Sequence, residues 1–399
     1  MDSIILYKSR WIYPVSSPPI EGGVVALSQG RIHAVGKEKE VRSHFNGKLR
    51  DCGDGVILPA LINAHTHLEL SALRGQITPG LGFVEWVKAL LALKEALSIE
   101  FLIQEMKWAL EELLMSGTGA VGDWVSSIQS IFLSPPQGLI KRNFYEVLGF
   151  LDEELNLPDI LNEKNPIHPS GWIFLGAHAP HSTSSSLLRK SKNWTRERVL
   201  PLSIHVAESI EEEQFLLSGN GLWREFLIHR GKWNSQWSPP GKTPVEYLDS
   251  LNLLDERTLC VHLTRAGKKD IDILRERRVH TVVCPRSNQF ITRSLPDLPY
   301  MTQIGLTPAI GTDSLASNQD LNLWGELEMI HRSFPEIDPV IILRMATWCG
   351  AVALDLQDEL GEIVPGKKSS LFFLPLGEVS VKDLPLAIIN SNGIGLEWI

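Results

Sequence analysis

Along residues 1–57, short apolar runs at 4–7, 23–27, 31–36 and 55–58 are separated by turn residues such as Gln29-Gly30, a pattern of short strands. From Leu58 to about residue 354 the pattern changes. Brief, strand-like apolar runs alternate with longer segments whose apolar residues recur three and four apart, as on one face of a helix. Residues 83–96 and 101–114 are the clearest such segments, the second ending at Ser116-Gly117. A stretch rich in Trp, Ser and Pro, residues 231–241, reads as an irregular loop. Beyond residue 355 short runs return at 371–374 and 387–389 and are read as strands.

The central segment holds eight strand-like runs: 57–64, 120–123, 144–148, 172–175, 202–205, 259–262, 281–284 and 307–311. Each precedes a loop or helix, and eight is the count of a (β/α)8 barrel. The expected fold is therefore α/β: a TIM-type barrel over residues 58–354, with a small β-sandwich domain built from both chain termini, residues 1–57 and 355–399. In such a barrel the chemistry lies at the C-terminal ends of the strands.

Those ends carry metal-binding and proton-transferring residue types. His65 and His67 end the first run; at i and i+2 of a strand they share a face and can meet one ion. His178 follows the fourth, His205 ends the fifth, His262 the sixth, and Asp313 follows the eighth. His65, His67, His205 and Asp313 supply imidazole and carboxylate ligands for one divalent cation, leaving a position open for water. Glu208 lies in the loop after His205 and is assigned proton transfer. Ser209 and Glu212 read as a Ser-x-x-Glu capping box, with Glu211, Glu212 and Glu213 as structural acids of a helical first turn. His262 is placed at the site by its strand-end position. His181 is left open, and His33, His44, His168, His229, His280 and His331 receive no function.

Composition adds exclusions. A hydrophobic content of 43% over 399 residues is enough for a large core. A formal charge of −9, without basic clusters interleaved with aromatics, argues against nucleic acid and for a small neutral or cationic substrate. No run approaches a membrane span, so no membrane partner and a cytoplasmic location are expected. The four cysteines, Cys52, Cys260, Cys284 and Cys349, show no paired spacing and read as reduced thiols. Whether the chain forms a homo-oligomer stays open.

The ordered strings Asn63-Ala64-His65-Thr66-His67, His205-x-x-Glu208, His262, Cys284-Pro285-Arg286-Ser287-Asn288, Gly311-Thr312-Asp313-Ser314 and Gly361-Glu362-Ile363-Val364-Pro365-Gly366-Lys367 resemble the motifs of the amidohydrolase superfamily. Within it they are similar to the branch of cytosine, guanine and adenosine-type deaminases and triazine chlorohydrolases. His67-Leu68-Glu69-Leu70-Ser71, Ala120-Val121-Gly122-Asp123 and His178-Ala179-Pro180-His181-Ser182 look most like aminodeoxyfutalosine deaminases, enzymes of menaquinone biosynthesis. The chain departs from them at His181, where Tyr is more usual, and at Ser369-Ser370-Leu371 in place of Ala-Asp-Leu. The resemblance implies one divalent metal, zinc or iron, that activates water. It also implies Asp313 as acceptor of the water's proton, Glu208 as donor to a ring nitrogen, His262 as the group that orients the nucleophile, and Glu69, Ser71 and His178 as substrate contacts.

Overall fold

The computed structural model describes residues 4–163, 166–168 and 171–399. The N-terminal strands are β1 (Ile5–Ile12), β2 (Ile20–Ser28), β3 (Arg31–Lys37), β4 (Lys48–Asp51) and β5 (Gly55–Pro59). Next come β6 (Leu61–Thr66), β7 (Thr118–Val125), β8 (Ile140–Val147), the two-residue β9 (Ile167–His168), β10 (Gly171–Ala177), β11 (Leu202–Val206), β12 (Thr258–His262), β13 (His280–Val283) and β14 (Ala309–Ile310). Two strands near the C-terminus complete the set, β15 (Leu371–Pro375) and β16 (Glu397–Trp398).

Eight of these, β6, β7, β8, β10, β11, β12, β13 and β14, pair in parallel in that order; β9 pairs only with β10. Strands such as β7, β11 and β12 are buried along their whole length, because helices cover the outside and side chains fill the inside. A bridge between Thr66 and Asp313 brings the last strand back to the first. Gly311 permits that approach: a Cβ there would lie 2.7 Å from the His65 Cβ. Asn63 fastens the same seam, its Oδ1 accepting from the Thr312 backbone N–H and its Nδ2 donating to Thr312 Oγ1. The fold is the expected barrel.

A second, mostly antiparallel sheet draws on both chain ends, in the order β16-β15-β5-β1-β2-β3, with β4 beside β1. One sequence reading fails here. Residues 387–389 lie in the helix Leu384–Asn390, not in a strand. Three consecutive apolar residues carry no period of their own; the wider spacing of buried Leu384, Pro385, Ile388 and Ile389, with Pro in the first turn, is helical. Residues 231–241 form a helix-free loop between the helices Leu222–His229 and Pro244–Ser250, as expected. All four cysteines are free. Among the described residues, no helix is long and apolar enough to cross a membrane.

Candidate metal centre and active site

His65 is the penultimate residue of β6, and His67 follows that strand directly, at the start of a short helix whose Leu68 N–H donates to Asp123 Oδ1 on β7. His205 sits on β11 and donates from Nδ1 to the His178 carbonyl (2.8 Å), so its Nε2 carries a lone pair into the barrel. That Nε2 lies 3.3 Å from His65 Nε2 and 3.2 Å from His67 Nε2. One ligand nitrogen from each of the three residues lies within 4.8 Å of the others. Asp313 Oδ1 is 3.7 Å from His65 Nε2 and 3.6 Å from His67 Nε2.

Burial, reinforced by the neighbouring imidazoles, holds His67 and His205 well below the usual imidazole range, so both are neutral ligands. Burial alone would raise the Asp313 carboxyl, but hydrogen bonding with His65 and the surrounding imidazoles hold it below its usual value. Three imidazoles whose nitrogens converge, with one carboxylate beside them, match the donor set of zinc or iron(II).

Ser287 Oγ and Ser317 Oγ both donate to Asp313 Oδ2, at 2.5 and 3.0 Å, leaving Oδ1 to face the histidines. Asn288 Nδ2 donates to His262 Nδ1 (3.0 Å), which places the ring proton on Nε2, 3.7 Å from Glu208 Oε1. The string Cys284-Pro285-Arg286-Ser287-Asn288, quoted above only for its resemblance, thus positions the side chains of Asp313 and His262. Its signal in the sequence was two short polar residues in the first turn after a barrel strand. Burial also lowers His262, to about 4, and it is neutral. Burial raises the Glu208 carboxyl well above its ordinary value, with Asp313 and Glu212 adding to the effect.

Three strand ends turn through left-handed backbone at non-glycine residues: Ala207 (φ 52°), His262 (φ 80°) and Asp313 (φ 56°). Such conformations are unfavourable for side-chain-bearing residues, and here they occur at the candidate residues His262 and Asp313 and directly before Glu208.

The capping box is half right. Ser209 Oγ accepts from the Glu212 N–H, but Glu212 Oε2 accepts from the Glu208 N–H (2.8 Å) rather than returning to Ser209. Glu212 is fully buried and lies 3.7 Å from His181 Nδ1. It is no ordinary first-turn acid: it holds the backbone of Glu208. A buried carboxylate cannot be told from a solvated one by helix position alone.

The three residues expected to touch substrate differ in their surroundings. His178 is within ring contact of His205, with centroids 5.2 Å apart. Burial, then the neighbouring His181 and His262, lowers it to about 3. Its Nδ1 pairs with Ser182 Oγ at 2.5 Å. Ser71 is buried, and its hydroxyl has no partner among the described residues. The Glu69 carboxylate is engaged: it accepts from the backbone N–H groups of Ser126 and Ser127 and from Ser126 Oγ, with Lys94 Nζ at 3.5 Å.

The model of the amidohydrolase family matches residues 56–392. The chain belongs to the amidohydrolase family. It is 29% identical to a 5-methylthioadenosine/S-adenosylhomocysteine deaminase of Syntrophobacter fumaroxidans, over 88% of this chain and 79% of that protein. It is 28% identical to the aminodeoxyfutalosine deaminase of Deinococcus radiodurans, over 82% and 79%. Among solved structures, the fold resembles aminofutalosine deaminase of Helicobacter pylori in complex with methylthio-coformycin, with a TM-score of 0.84 at 23% identity over 97% and 96% of the two chains.

Proposed function

We propose that this amidohydrolase is a metal-dependent deaminase that releases ammonia from a 6-aminopurine nucleoside, with aminodeoxyfutalosine preferred. The observation that carries this reading is the meeting of two sets of groups at one barrel mouth. His65, His67, His205 and Asp313 converge as ligands for one cation, and Glu208 and His262 stand beside them for proton transfer. Zinc or iron bound there would supply an activated water nucleophile at neutral pH.

The chain's own groups do the rest. Asp313 Oδ1, kept ionised, accepts the proton lost by the attacking water. Glu208, kept protonated by its burial, gives a proton to the ring nitrogen next to the amine-bearing carbon, so that the ring accepts the nucleophile's electrons. His262, with its proton on Nε2, donates to the attacking oxygen and orients it. The proton held by Asp313 then goes to the amine, which leaves as ammonia, while the proton on the added oxygen returns to Glu208 and the ring carbonyl forms. Ser71 and His178 offer polar atoms to the substrate, and Glu69 anchors the loop beside them.

Deamination of 5-methylthioadenosine or S-adenosylhomocysteine is the second reading, supported by the relative from Syntrophobacter fumaroxidans. An ammonia-release assay separates the two. The purified metal-loaded protein is given aminodeoxyfutalosine, 5-methylthioadenosine, S-adenosylhomocysteine, adenosine, free adenine, guanine and cytosine, with chloride release from a chlorotriazine measured alongside. The highest kcat/KM is expected with aminodeoxyfutalosine. Equal or faster turnover of guanine, cytosine or free adenine removes the nucleoside reading, and chloride as the sole product removes deamination.

A further inference from the structure

Glu146 is the penultimate residue of β8. It lies on the same face of that strand as Phe144, whose ring stacks on Trp124, and Trp124 in turn packs against His205 with centroids 4.1 Å apart. Glu146 therefore projects into the barrel mouth above the metal-ligand layer. No described residue hydrogen-bonds to its carboxylate, and its Oε1 faces His178 Nε2 at 3.9 Å. Both side chains are partly open, 21% and 28% exposed, so a solute can reach the space between them.

We propose that Glu146 and His178 together hold a sugar hydroxyl of the substrate, making Glu146 a specificity residue; this inference rests on the nucleoside reading above. A separation of 3.9 Å is too long for a direct hydrogen bond, yet one oxygen about 2.8 Å from each atom fits between them. Ser182 Oγ pairs with His178 Nδ1, so Nε2 is the ring atom that meets this gap. With the ring proton on Nε2 the bridging atom accepts from His178 and donates to Glu146; with it on Nδ1 the bridging atom donates to Nε2 and accepts from protonated Glu146. A hydroxyl does both, whereas an ether oxygen or an aromatic ring nitrogen has no proton to give and an ammonium has no lone pair to offer. Glu69, expected above as a substrate contact, already accepts from residues 126 and 127. Burial has also pushed the Glu146 carboxyl up to about 7, the condition of an acid that lacks a donor.

The test pairs substitutions at Glu146 with substrates lacking single hydroxyls. Wild type, Glu146→Ala and Glu146→Gln, each checked for metal content and melting temperature, are assayed on adenosine, 2′-deoxyadenosine, 3′-deoxyadenosine and 5-methylthioadenosine, with aminodeoxyfutalosine as reference. Glu146→Ala is expected to lower kcat/KM on the ribonucleosides on the order of 10- to 100-fold, mainly through KM, the size of a lost hydrogen bond to a charged group. On one of the two deoxynucleosides the loss should be under about threefold, because the bridging hydroxyl is already gone. Glu146→Gln, which keeps an acceptor and the shape, should recover part of the loss. Equal losses on all substrates, or no loss on any, overturn the assignment while leaving the deaminase reading standing. A metal-loaded wild-type protein that releases no ammonia from any of these nucleosides overturns the nucleoside reading and this inference with it.

Discussion

Glu208 depends on its neighbours for both position and protonation state. Its backbone N–H is held by buried Glu212, the residue before it is left-handed, and its carboxyl faces His262. Glu208→Gln keeps the shape and is expected to keep the metal, since Glu208 is not among the converging ligands, while turnover falls on the order of 10²- to 10⁴-fold for want of a proton donor. Near-normal turnover with full metal content would reduce Glu208 to a bystander. His65 behaves differently, because its Nε2 meets both His205 and Asp313. His65→Ala should lose metal and activity together. Metal analysis that finds a full complement in this variant would contradict the ligand set.

At the level of elements, the barrel strands were legible because a parallel strand covered on both faces is a short apolar run, and such runs recurred eight times with room for a helix between them. The proposed ligands stood out for the same reason: each lies at or just past the end of a run. What was not legible is whatever depends on contacts between elements. Ser287 and Asn288 gain their roles only because the helix Pro285–Ile291 packs beside Asp313 and His262, and Glu146 gains its own only because β8 and β10 are neighbours. Glu326 is a further case. It lies fully buried on the helix Leu323–Ser333, accepting from the Arg286 N–H and from Asn318 Nδ2, and so ties that helix to the helix Pro285–Ile291 and to the loop that holds Asn318. Burial raises its carboxyl to about 7, with Arg286 opposing.

The sign of the resulting pH dependence follows from proton counts. Below about pH 4.5 the group is neutral in both states; between about 4.5 and 7 the unfolded chain has released the proton and the folded chain keeps it. Stability from this group therefore falls as pH rises through that window, by up to about 1.4 kcal/mol per pH unit, and then levels. Glu326→Gln carries a constant loss from one mismatched donor but no titration. Urea midpoints at pH 5 and pH 7.5 should therefore drop more for wild type than for the variant; parallel shifts would show that Glu326 is ionised throughout.

For the molecule as a whole, the proposed metal ligands are residues 65, 67, 205 and 313, at or just past the ends of the first, fifth and last strands of the barrel, so they meet only when the barrel has closed. The seam between β14 and β6 carries ligands on both sides, with Gly311 and Asn63 already drawing it tight. A cation held there binds the folded chain and not the unfolded one, and stabilises it by mass action, about 2.7 kcal/mol at free metal a hundredfold above its dissociation constant. For a chain of 399 residues that corresponds to a rise of about 3 °C in melting temperature. Stripping the wild-type protein with a chelator should lower the melting temperature by about that amount, zinc should restore it, and His67→Ala should show neither change. A melting temperature that does not move when metal analysis confirms that the ion has gone would mean that the ion had no preference for the folded chain, and so was not held by these four residues at the closed seam.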